Sequence, residues 1–97
     1  MPDEKAPQPL REVMEKLLKH YRLGQHYNEA RLKAAWEKLM GEFVSTRTES
    51  LRVKDKTLFL GMNSAPLRHE ILLSKSEVIG RLNEYMGFEM IEEIVIM

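Results

Sequence analysis

The sequence predicts an α+β fold of order α-α-β-β-α(-α)-β, with a three-stranded mixed sheet covered by helices. Three observations lead there. Apolar residues recur at helical spacing up to about residue 44, two short strand-like runs meet at Asp55-Lys56, and Ser64-Ala65-Pro66 opens a helix that precedes a β-branched C-terminal run. A tight turn makes the first two strands antiparallel, whereas a helical crossover makes the second and third parallel, with a right-handed connection. At 97 residues, 43% hydrophobic and 31% charged, the composition suits one small domain with a modest core.

Residues 1–9 hold Pro2, Pro7 and Pro9, three of the four prolines, and read as a flexible N-terminal arm before a single domain over 10–97. In 10–23, Leu10, Val13, Met14, Leu17, Leu18 and Tyr21 fall on one face of an added N-terminal helix, with Gly24 as its stop. A second helix begins at Tyr27 or at Asn28, which can cap it. Its broad stripe is Leu32, Ala35, Trp36, Leu39, Met40, Phe43 and Val44, and Gly41 lies within that stripe as a point of close packing. Residues 51–54 alternate as a half-buried strand. Residues 57–62 are nearly all apolar, the pattern of a central strand covered on both sides. Asn63 or Ser64 caps the next helix, Pro66 sits in its first turn, and Gly87 closes it. Its core face is Leu67, Ile71, Val78, Leu82 and Tyr85. The run from Ser74 to Glu77 leaves two readings open: one long helix, or a division with Ser76 capping the second part. Residues 90–97 are β-branched enough for the last strand.

Fifteen Lys and Arg balance fifteen Asp and Glu, which argues against a global attraction to nucleic acid or anionic membrane; any polyanion site must be local. Cysteine is absent, so disulfides and thiolate zinc sites are excluded. No apolar run approaches the roughly 18 residues of a membrane span, and the start lacks the apolar segment of a signal peptide, so a cytoplasmic location is expected. His20, His26 and His69 form no ligand-spaced pair, the serines read as caps, and Glu92 and Glu93 point to opposite faces of a strand. The expectation is no enzyme, no metal, no cofactor and no small-molecule substrate.

Charge is uneven along the chain. Between residues 47 and 81, Arg47, Arg52, Lys54, Lys56, Arg68, Lys75 and Arg81 stand against Glu49, Asp55, Glu70 and Glu77, an excess of three. Residues 84–97 carry only acids. Arg52 and Lys54 share a strand face with Lys56 at the adjoining turn, so three cations meet one phosphate track, unless the hairpin is merely solvated and edge-protected. Phe59 faces the same way, as a base-stacking aromatic, or else packs with Ile94 or Ile96 under a helix. The candidate nucleic-acid-binding residues are thus Arg47, Arg52, Lys54, Lys56, Arg68, Lys75 and Phe59. Trp36 reads as core rather than interface anchor. The helix in 10–22 either packs on its own domain or docks a partner.

The carriers of a family resemblance are Trp36 with Leu39-Met40-Gly41, Thr46 and Thr48, Leu58-Phe59-Leu60, Ser64 with Leu67-Arg68-His69-Glu70-Ile71, Arg81-Leu82-Asn83 with Gly87, and Ile91 with Ile94. Their order resembles the type II arrangement of the KH nucleic-acid-binding fold, and the residues resemble the DciA family of bacterial replicative-helicase loaders. The resemblance implies a non-catalytic adaptor in DNA replication that contacts the DnaB-type helicase and binds single-stranded DNA weakly. The stretch corresponding to the phosphate-gripping Gly-x-x-Gly loop of KH domains reads Leu73-Ser74-Lys75-Ser76 and has no glycine. The chain also stops at its last strand without a basic tail, so DNA affinity is expected from the domain itself. The alternatives are a general nucleic-acid-binding KH-like module without a helicase partner, and a protein-interaction or homo-oligomer module.

Overall fold

The computed structural model describes residues 7–97. The elements are α1 (Gln8–Met40), α2 (Glu42–Thr46), β1 (Thr48–Lys54), β2 (Thr57–Met62), α3 (Ala65–Leu73), α4 (Lys75–Met86) and β3 (Glu93–Ile96). This is the α-α-β-β-α-α-β layout read from the sequence. The sheet order is β1-β2-β3, with β1 and β2 antiparallel and β2 and β3 parallel.

The divisions between helices differ from expectation. The arm predicted over 1–9 lies outside the described residues as far as residue 6, and Gln8 and Pro9 already belong to α1. A proline in a first helical turn costs nothing, because that turn's N–H groups have no intrahelical partner. Gly24 does not stop the helix and Asn28 does not cap one. α1 runs through both for 33 residues, and the only glycines with positive φ among the described residues are Gly41 and Gly87. An isolated helical glycine costs about 1 kcal/mol relative to alanine, too little to break a run of good helix formers.

The break falls at Gly41, at φ 90° and ψ 161°, a conformation reserved for glycine. No neighbouring side chain approaches where its Cβ would stand, so backbone conformation and not close packing accounts for this glycine. The second long helix divides at Ser74, two residues before the predicted cap. The Ser74 hydroxyl donates to the Glu70 carbonyl of the helix it ends, at 2.8 Å. Ser64 does cap α3, its Oγ accepting from the Leu67 N–H. Asp55 and Lys56, at φ 50° and 59°, make the hairpin turn.

β2 is central by pairing, yet it is covered on one face only. Its burial alternates, with Leu58, Leu60 and Met62 inside and Thr57, Phe59 and Gly61 half-buried on the other face. The inner face joins Leu51 and Ile94 of the neighbouring strands to Leu32 and Trp36 of α1, Leu67 and Ile71 of α3, and Val78, Leu82 and Met86 of α4. Trp36 is a core residue, 4% exposed, and its Nε1–H donates to the Thr48 hydroxyl, which donates in turn to the Val44 carbonyl. This chain of bonds closes the corner where α1, α2 and β1 meet. Asn83 does the same for the approach to β3: its Oδ1 accepts from the N–H groups of Met90 and Ile91, and its Nδ2 donates to the Ile91 carbonyl.

Candidate nucleic-acid interface

The strand pairing places Arg52 opposite Phe59 and Phe59 opposite Val95, and in the next row Lys54 opposite Thr57 and Thr57 opposite Glu93. Because successive residues alternate faces, these side chains all stand on the side of the sheet away from the core. Arg52 and Lys54 are exposed, Val95 is 39% exposed, and Phe59 is half-buried between its neighbours. The packing of Phe59 with Ile94 or Ile96 under a helix does not occur, since both isoleucines belong to the opposite, core face. Phe59 therefore lies half-exposed on the open face, across the strand pair from Arg52, whose guanidinium is drawn to Glu29 at the sheet edge; an exposed aromatic face in such a place can stack a base.

The seven predicted residues are not brought to one place. Arg52, Lys54 and Phe59 share the outer face, and Lys56 stands at the turn that ends it. Lys56 Nζ pairs with Glu92 at 3.3 Å, and its carbonyl accepts from the Glu92 N–H at 2.8 Å, so the turn is tied to the entry of β3. Arg47 lies at the far end of the hairpin, 3.7 Å above the Phe43 ring, with its guanidinium on the Phe43 carbonyl. Arg68 donates to the Met62 carbonyl at 2.9 Å, bracing the end of β2 against α3. Lys75 pairs with Glu93 at 2.7 Å and thereby anchors α4 to the edge strand. Arg47, Arg68 and Lys75 thus make local structural bonds that the charge count along the sequence did not reveal.

Glu29 is the residue that sequence reasoning passed over. It sits on α1 beside the edge of β1, where its carboxylate pairs with Lys33 at 3.1 Å and Arg52 Nε at 3.3 Å and accepts from the Val53 N–H at 3.4 Å. Partial burial pushes this carboxyl up, but the Lys33 and Val53 hydrogen bonds and the nearby charges of Lys33 and Arg52 outweigh it and hold it below its ordinary value. Arg22 and His26, about two turns and one turn earlier on α1, line a groove with Arg52 and Lys54. The cationic face of the hairpin therefore continues onto α1, a link that only the folded contact between helix and strand makes visible. Among the described residues, no three His, Cys, Asp or Glu groups are placed to hold a metal ion, and no helix is long and apolar enough to cross a membrane.

Fold and surface together define a small α+β domain with an open sheet face that carries Arg52, Lys54 and Phe59 and a long helix that outruns its own core. The chain belongs to the DciA family, described as Dna[CI] antecedent, DciA, whose family model matches residues 9–96. That match takes in all of the sheet and nearly all of α1, and the family is one of replicative-helicase loaders. No curated protein matches the chain.

Proposed function

We propose that the protein is a non-catalytic adaptor that contacts the DnaB-type replicative helicase and binds single-stranded DNA weakly as a secondary property. The family match over 9–96 carries the helicase half of this reading. Its decisive test is a pull-down with the purified replicative helicase from the same source, with and without single-stranded DNA. Capture of the helicase at micromolar concentration is expected, and its absence would move the reading to a nucleic-acid-binding module without a helicase partner.

The DNA half rests on the outer sheet face. Arg52, Lys54 and Lys56 offer a short phosphate track, with Phe59 for a base and Arg22 and His26 extending the track onto α1. The order of elements resembles that of a type II KH fold, but Leu73-Ser74-Lys75-Ser76 turns from α3 into α4 without glycine, so in this reading the phosphate contacts fall to the hairpin instead. Three or four neutralised phosphates give a slope of log affinity against log salt of about −2 to −3. Replacing Arg52, Lys54 and Lys56 together by Glu is expected to abolish binding in a fluorescence-anisotropy titration. Lys54→Glu with Phe59→Ala, which spares the Arg52–Glu29 pair, is expected to lower affinity at least about tenfold. Unchanged affinity in both variants would sink the hairpin assignment.

A further inference from the structure

α1 is longer than the body it packs on. Its buried residues Leu32, Ala35 and Trp36 mark the side of the helix turned to the core, and at 3.6 residues per turn the same side carries Tyr21, Leu18, Leu17, Met14 and Leu10 towards the N-terminus. There the stripe opens to solvent along one side: Leu10 is 50% exposed, Leu17 64% and Tyr21 60%, while Met14 and Leu18 are half-buried. The core-facing stripe thus continues as an overhang, rising about 16 Å from Tyr21 to Leu10 at 1.5 Å per residue. At its foot lies a cavity of about 290 Å³ where Tyr21, Val53, Phe88 and Met90 meet polar residues that include Lys56 and Glu89, and Phe88 is itself 47% exposed. Helix and foot form a shelf with an apolar back and a floor of mixed polarity.

We infer that this shelf receives an amphipathic helix of the replicative helicase, about three turns long, whose apolar stripe is bordered by acidic residues. The inference rests on the helicase reading and gives it a surface. A second helix is the matching shape, because the stripe repeats at three- and four-residue steps and presents a ridge for another helix's groove. The acidic border follows from charge. Residues 8–28 carry Arg11, Lys16, Lys19 and Arg22 against Glu12 and Glu15, a net of +2, and Arg11 and Arg22 lie beside the stripe. Two copies of the segment would repel each other, whereas an acidic partner is attracted.

The test measures helicase affinity of the full chain by biolayer interferometry, with fold checked by circular dichroism. Met14→Glu with Leu17→Glu, at positions outside the core, is expected to weaken binding more than about tenfold, the loss of one well-seated anchor. Arg11→Glu with Arg22→Glu is expected to weaken it without lowering the melting temperature, whereas Glu15→Lys retains or tightens it. Undiminished affinity of the Met14/Leu17 variant, with the wild type binding normally, overturns the shelf alone. A wild type that does not bind the helicase overturns the functional reading together with it. A concentration-dependent dimer in sedimentation that the same variant abolishes makes a second copy the occupant, and overturns the inference as well.

Discussion

The carboxylate of Glu29 meets Lys33, Arg52 and the Val53 N–H at once, and so fixes α1 to the edge of β1 through one side chain. Its carboxyl lies below the ordinary 4.5, as does that of Glu93, which the Lys75 hydrogen bond, the Ile94 N–H and the Lys75 charge lower against a small desolvation cost. A carboxyl depressed in the folded state binds its proton more readily once unfolded. The stability it lends is complete above about 4.5 and is lost as pH falls through the lower folded value. Urea denaturation at a series of pH values from about 6 to 3 is therefore expected to show stability falling below about 4.5. Glu29→Gln costs on the order of 1 kcal/mol at neutral pH and flattens part of that fall, leaving the share of Glu93. An identical pH profile in the variant would refute the role of Glu29. The sequence showed Arg52 pointing to solvent but not its partner, because Glu29 lies 23 residues earlier on an element whose docking against β1 no local pattern encodes. Phe59 was legible as facing Arg52 for the opposite reason: alternation along a strand needs only the strand.

Two glycines show how a helix boundary is set. Gly24 and Gly41 look alike in sequence, each following a run of apolar residues at helical spacing, and the structure treats them oppositely. Gly24 is helical with open space around the position of a Cβ, so Gly24→Ala is expected to stabilise the fold by about 0.5–1 kcal/mol through the lost entropy of glycine. Gly41 holds a conformation that an L side chain resists, so Gly41→Ala is expected to destabilise by about 1–3 kcal/mol although nothing crowds the new methyl. Opposite shifts in the midpoint of chemical denaturation check the pair, and shifts of the same sign would contradict the assigned roles. Glycine content alone cannot tell the cases apart. What separates them is the corner made by the Trp36–Thr48–Val44 bonds, which demands that the chain turn at residue 41, while nothing packs near residue 24 to demand a turn there. The Ser64 cap, the Gly87 terminus and the Asp55-Lys56 turn were legible because each is a local device that acts within four residues.

At the scale of the whole molecule, the Cα radius of gyration is 16.8 Å, against about 12.5 Å for a compact chain of this length, and the extents are 54 × 23 × 21 Å. The excess is the overhang of α1, whose apolar stripe predicts a helix but says nothing of whether its own body covers it. Deleting residues 1–23 separates body from overhang. The shortened α1 keeps Glu29, Leu32, Ala35 and Trp36, and with them every buried contact of the helix with the sheet. The truncated protein is therefore expected to fold cooperatively with a melting temperature within a few degrees of the parent, and to scatter X-rays as a body near the compact radius. Its affinity for single-stranded DNA should fall no more than about threefold, since only Arg22 of the cationic face is removed. Helicase binding should be lost. A truncated chain that unfolds would make the N-terminal half of α1 a structural part of the domain, and one that still captures the helicase would place the contact on the body, most directly on the sheet face around Phe59.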